Sequence, residues 1–207
     1  MKVFIDGENM RHRLVSVLEH AHKIEHSEDH FKVDIRRIVS NALGQTPETI
    51  SYYTTRIHQP DFDIPERLRD MITSIQESHR RWIAELTNQG IRVVKSGNLK
   101  VHQNAPCHHC GKRTMVLQEK GVDVRLATEM VMAAVHDQAE AIVVLSNDAD
   151  MIPALEVVKR AGTQVIYMHF EEEVNDALRA MTDREVMFSR QDVIDAYSPY
   201  ISGQRRG

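Results

Sequence analysis

Nowhere in the 207 residues does an apolar run approach the roughly 20 consecutive residues that span a bilayer, so a membrane-spanning helix is not expected. The chain opens directly on a strand-like run, Met1-Lys2-Val3-Phe4-Ile5, where a secretory leader would set a basic stretch before a longer apolar one. A cytoplasmic setting is therefore expected. Cysteine is nearly missing: only Cys107 and Cys110 occur, three positions apart, which excludes a disulfide-built scaffold. An excess of positive charge is also lacking. With 26 Lys and Arg against 30 Asp and Glu the net charge is −4, which argues against a protein that coats nucleic acid indiscriminately. A nuclease survives that test, because a carboxylate-rich metal site is itself acidic and needs only a local basic rim. No internal repeat and no long low-complexity tract is present.

What the chain does contain is ordinary for a soluble domain, with 42% apolar and 27% charged residues. Apolar runs read as strands at residues 2–6, 50–56, 91–94, 141–145 and 164–168. Helical spacing marks 8–24, 33–43 (stopped by Gly44), 68–88 (stopped by Gly90) and 122–136. Further helices follow Asp150 up to Gly162, over 174–181, and as a last turn near 192–197. Strands alternating with helices predict an α/β fold, a parallel central sheet flanked by helices on both faces. One domain is expected over residues 1–200, with a small cysteine-containing insertion at 96–119 where the pattern breaks, and a flexible tail over 201–207.

In such sheets ligands bind beyond the carboxyl ends of the strands. Asp6 closes the first strand there, and Asp148 and Asp150 follow the run Ala141–Leu145. Asp123 opens the helix after Lys120-Gly121-Val122. If the strands at 2–6 and 141–145 are neighbours, four carboxylates converge on one rim. Four anions in a small volume need cations between them, and an all-oxygen donor set suits Mg²⁺ or Mn²⁺. A plainer reading stays open: Asp6 and Asp123 as helix caps, Asp148 and Asp150 as turn residues.

Three stretches resemble a known family. Phe4-Ile5-Asp6-Gly7-Glu8-Asn9, Lys120-Gly121-Val122-Asp123-Val124-Arg125-Leu126-Ala127 and Ser146-Asn147-Asp148-Ala149-Asp150-Met151-Ile152-Pro153-Ala154-Leu155 look like the signatures of the NYN domain, of the PIN-like nuclease superfamily. The resemblance covers about residues 2–170. It implies a metal-dependent ribonuclease whose carboxylates map onto Asp6, Asp123, Asp148 and Asp150. Asn9 matches the polar residue of the first loop and Ser146 the hydroxyl heading the third motif, either of which could orient a metal-bound water or a phosphate. Two positions depart from the pattern: Asn147 replaces a common Gly, and Glu129 replaces a common Asp. Six residues beyond Asp123, Glu129 is about 240° around the helix and is expected off that face. Lys120 is a candidate for the scissile phosphate or for a metal-site carboxylate, and Arg125, Arg11 and Arg13 for the substrate groove. Each has the plain alternative of facing water.

Cys107-His108-His109-Cys110-Gly111-Lys112 resembles half a zinc knuckle. A structural Zn²⁺ is expected to draw on Cys107 and Cys110, with His102, His108 or His109 completing it, or with a second pair from a symmetric partner. Family members often carry such an insertion just before the Lys-Gly-Val-Asp motif. A redox pair or a plain reduced pair is the alternative. The polar segment with His20, His22, His26 and His30 is not expected to form another metal site. RNA is the expected substrate, and a homodimer through the apolar face of 68–86 is left open. Two other functions compete. A haloacid-dehalogenase-like phosphatase would use Asp6 as nucleophile, but it needs a second Asp where Glu8 stands. A non-catalytic RNA-binding module would have little reason to keep mutually repelling carboxylates.

Overall fold

The computed structural model describes residues 1–24, 32–60, 62–106, 108–111 and 115–198, without the side chains of His102, Gln103 and Glu119. Among them, strands β1 (Lys2–Asp6), β2 (Thr49–Ile57), β3 (Arg92–Gln103), β4 (Met115–Lys120), β5 (Ala141–Leu145), β6 (Gln164–Phe170) and β7 (Arg184–Phe188) build one sheet in the order β4-β3-β2-β1-β5-β6-β7. Every neighbouring pair is parallel except β3 with β4. Successive strand residues point to opposite faces, so each strand feeds two cores. Val3, Ile5, Val143 and Leu145 pack under helices α1 (Gly7–His20), α2 (Ile35–Leu43), α3 (Glu66–Asn88) and α7 (Arg190–Ala196). Phe4, Ile142, Val144 and Tyr167 pack under α4 (Val122–Val135), α5 (Ile152–Arg160) and α6 (Asp176–Met181). Burial on both faces is why β5 reads as an unbroken apolar run.

Two strands escape the sequence pattern. β7 buries only Val186 and Phe188 while Met187 between them is 61% exposed, the signature of an edge strand too short to register. β3 continues well past residue 94, and β4 returns beside it antiparallel. Much of residues 96–119 is therefore a β-hairpin extension of the sheet, and Cys110 lies between its two strands in the chain. At Gly97 the backbone has φ +67°, and a Cβ would lie 2.0 Å from the Lys120 carbonyl oxygen. The hairpin closes on the residues that start α4 because no side chain stands between them.

The apolar face of α3, a candidate for contact with a second copy, is partly taken up by the chain's own core: Trp82 and Leu86 join the cluster under β1 and β2 and Ile72 is buried, while Met71 is 44% exposed. Trp82 Nε1 donates to the Tyr52 hydroxyl at 3.0 Å, and that hydroxyl donates to the Gly7 carbonyl at 2.6 Å. The relay fastens α3 to the start of α1.

Where α3 faces β2, His79 Nε2 is 2.9 Å from Thr54 Oγ1. Burial, helped by the Lys95 charge, lowers its pKa from 6.5 to about 4. Between those values the unfolded chain takes up a proton that the native chain refuses. The stability tied to a neutral His79 is therefore complete above about pH 6.5 and lost as pH falls toward 4. Thermal melts from pH 7 down to pH 5 are expected to drop less steeply for His79→Gln than for the parent. Parallel curves would refute this.

Candidate active site

The strand order reverses direction between β1 and β5, and crevices at such switch points are where open α/β sheets place ligands. Asp6 ends β1 at that point. It caps α1: one carboxylate oxygen accepts from the backbone N–H of Glu8 (3.2 Å) and Asn9 (3.3 Å). The other accepts from the Asn9 side-chain amide and from Ser146 Oγ (3.2 Å). Ser146 is in reach because Ile5 and Leu145 are paired across β1 and β5. Its oxygen in turn accepts from the Asp148 backbone N–H at 3.1 Å, and Asp148 accepts from the Asp150 N–H at 2.9 Å as cap of a short 3₁₀ turn. Hydrogen bonds thus run unbroken from the first motif to the third.

The cap explanation holds for Asp6 and Asp148. It fails for Asp123, which sits one residue inside α4 behind a Gly121 cap and makes no capping bond. A helix N-terminus favours a carboxylate. The Asp123 carboxyl is nevertheless raised above its ordinary pKa, by burial first and then by the charges of Asp6, Asp148 and Asp150. Those three belong to the other two motifs, so the four acids share one electrostatic neighbourhood. Among the described residues, no three His, Cys, Asp or Glu side chains are placed to hold a single ion. The acids are near enough to repel but do not close on one point.

Asn9 and Ser146 hold Asp6, as above. Lys120 ends β4 with an exposed side chain. Arg125 turns along α4 to Glu129, its Nε 2.6 Å from Oε1. Arg11 bonds Glu8 at 2.5 and 3.1 Å, while Arg13 pairs with Glu173 and lies over the Phe170 ring. Both are tied to acids of their own. Glu8, at the position where a phosphatase of the haloacid type needs its second Asp, is thereby turned to Arg11. Asn147, at the position of the expected Gly, has no positive φ among the described residues. Its side chain instead accepts from the Tyr167 hydroxyl (2.8 Å) and donates to Glu173 (3.2 Å), bracing the Asp148 turn against β6. Cys107, His26, His30 and the His102 side chain lie outside the described residues; Cys110 is an exposed free thiol, and His108 and His109 are exposed.

Sequence reasoning missed the knot around Glu129. Its carboxylate, 15% exposed, accepts from the Tyr53 hydroxyl (2.7 Å), from Arg125 and from Arg92. Burial raises its pKa, but the bonds from Arg92, Tyr53 and Arg125 outweigh this and hold it below the usual range. The knot pins α4, and with it Asp123, against β2 and β3. Glu129→Ala takes an acceptor from the Tyr53 hydroxyl and from both Arg92 and Arg125, which costs about 1–3 kcal/mol. At about 2–4 °C per kcal/mol for a chain of this size, the melting temperature is expected to fall by about 3–10 °C. An unchanged melt would show that the knot is decorative.

A mostly parallel seven-stranded sheet with acidic motifs gathered at its switch point defines an α/β protein with a carboxylate-lined edge site. The family follows from comparison with known proteins. The model of the NYN domain matches residues 1–189, and the chain belongs to that family, one of the PIN-like nucleases. A nuclease kind of activity and a nucleic-acid substrate go with that membership. The chain is also similar to a crystal structure of a protein of unknown function from Vibrio parahaemolyticus, at 14% identity and TM-score 0.50, over 90% of this chain and 91% of that one. That likeness shows the fold alone. No curated protein matches.

Proposed function

We propose that this chain is a ribonuclease that hydrolyses phosphodiester bonds with Mg²⁺ or Mn²⁺ held by Asp6, Asp123, Asp148 and Asp150. The observation that carries the reading is that acids from three separate stretches, Asp6, Asp123 and the Asp148–Asp150 turn, share one neighbourhood at the switch point, where burial and the other three acids raise the Asp123 carboxyl. Caps and turns do not require that crowding. The donor set suits a hard cation, since each group offers carboxylate oxygen and positive charge relieves the repulsion. When bound, such ions acidify a water and neutralise charge on the scissile phosphate.

The chain's own residues divide the remaining work. All four acceptor positions of Asp6 are filled by Glu8 N–H, Asn9 N–H, the Asn9 amide and the Ser146 hydroxyl. The first two belong to the helix and stay. The amide and the hydroxyl are side-chain donors that can swing away, freeing the outer oxygen of Asp6 and turning toward a phosphate or a water. Lys120, at the mouth of the Asp123 helix, is placed to meet substrate charge. A structural Zn²⁺ at Cys107 and Cys110, with His102 and His109, belongs to the same proposal.

The test is cleavage of labelled single-stranded RNA, double-stranded RNA and DNA by the pure protein, with Mg²⁺, with Mn²⁺ and with chelator. RNA cleavage that needs the metal and stops in chelator supports the reading. No cleavage of any substrate, or cleavage indifferent to chelator, overturns it. Metal analysis of the same sample reads the zinc.

A further inference from the structure

Two cavities of about 320 and 530 Å³ lie between α3 and the β2–β3 edge. They share His58 and Gln76, so they form one continuous groove. Arg56, Arg80 and Lys95 line the inner cavity, and Lys100 lines the outer one together with Phe62. Among the described residues no Asp or Glu lines either, although acids outnumber bases in the chain as a whole. Arg56, Arg80 and Lys95 are exposed and make no ion pair among the described residues. Cations concentrated where, among the described residues, no carboxylate neutralises them are a seat for an anion. Phe62 is 53% exposed beside them, a large apolar ring without a core to enter.

The groove opens at the same carboxyl end of the sheet as the acid site, on the face covered by α3. Asp6 pairs with Tyr53 across β1 and β2, and Thr54, one residue further, pairs with Lys95 across β2 and β3. The Lys95 backbone therefore lies two strand spacings from that of Asp6, about 10 Å sideways at nearly the same height, with its side chain turned to the α3 face. His79 in the inner cavity feels the charges of Glu8 and Arg11 at the start of α1, which puts that helix end at the groove's mouth.

We propose that this groove binds single-stranded nucleic acid leading away from the acid site, its phosphates on Arg56, Arg80 and Lys95 and a base stacked on Phe62. The inference rests on the proposed nuclease reading and names where its substrate runs. A basic track with an aromatic platform is how proteins hold unpaired strands without regard to sequence. A duplex presents no free base face to Phe62, so the ring selects for the single strand.

The test is fluorescence anisotropy of a labelled oligouridylate of about 12 nucleotides, a length within the usual footprint of single-strand sites, with chelator present so that nothing is cut. The double variant Arg80→Glu/Lys95→Glu is expected to bind at least tenfold more weakly and to show a shallower salt dependence, by about 0.7 for each phosphate no longer neutralised. Phe62→Ala is expected to lose about tenfold on the single strand and little on a duplex of the same length. Arg184→Glu, an equally exposed arginine on the far edge strand β7, serves as control and should bind like the parent. Arg80→Gln/Lys95→Gln repeats the measurement without a new negative charge, and thermal melts establish that each variant is folded. Folded groove variants that bind like the parent, or a parent that prefers duplex, overturn the proposal. Binding through the groove with no cleavage under any metal would leave the groove standing and sink the nuclease reading. Cleavage and binding untouched by the groove variants would do the reverse.

Discussion

Asp6→Asn is expected to lower metal-dependent RNA cleavage by at least about 10²–10³-fold, the scale on which removing one charged group from a hydrolytic site acts. The folded chain should hardly change. Asparagine caps helices as well as aspartate does, so the bonds from Glu8 and Asn9 N–H persist, and the new amide NH2 in place of the outer oxygen donates to Ser146 Oγ or to Asn9 Oδ1 once that side chain turns over. Replacing the acid also removes one source of the repulsion that raises Asp123. A melting temperature equal to or above the parent's, beside a large loss of turnover, is thus the signature of a group kept for chemistry at the expense of stability. Asp148→Asn should behave alike, because an asparagine oxygen can still accept from the Asp150 N–H. Single-turnover cleavage and a thermal melt on the same preparations decide the matter. Unchanged cleavage by both variants would refute the assignment, and a collapsed melt would return both residues to purely structural roles.

Gly7→Ala is expected to damage both stability and cleavage. A Cβ there would lie 2.3 Å from the Tyr53 carbonyl oxygen and 2.5 Å from the Tyr52 ring. The first obstacle is backbone of the adjacent strand and cannot swing aside. The second belongs to a tyrosine held by Trp82 and by the Gly7 carbonyl itself. Forcing atoms into a packed interior costs about 1–3 kcal/mol, and more where backbone must move. A fall of about 5–10 °C in melting temperature is the expected minimum. Since Gly7 follows Asp6, cleavage should fall with it. A variant that melts and cuts like the parent would mean that the α1 start is free to shift.

Much of this was legible in the chain. β5 ran apolar because it is covered on both faces, Gly44 stopped α2 in a left-handed conformation, and Asp6 and Asp148 stood where strands end. β7 and the β3–β4 hairpin were not, because edge strands bury too few alternate residues to produce a pattern. At the site, sequence reasoning grouped the acids through the order of the motifs. It could not see that Asp6 has every acceptor position occupied, since the donors Asn9 and Ser146 come from different motifs. The Glu129 knot was hidden for a similar reason: Tyr53, Arg92 and Arg125 reach it from three separate elements. The groove was hidden too, because its cations are scattered from residue 56 to residue 100 and only the packing of α3 gathers them.

The switch point between β1 and β5 has a consequence for biosynthesis. Asp6 leaves the ribosome before the β2–β4 half of the sheet is made, whereas Asp148 and Asp150 follow only after it. A growing chain shorter than that carries one acid without its companions, in surroundings dense with ribosomal RNA. On the proposed reading the newborn protein is harmless to the machinery that makes it until the Asp148–Asp150 motif has emerged.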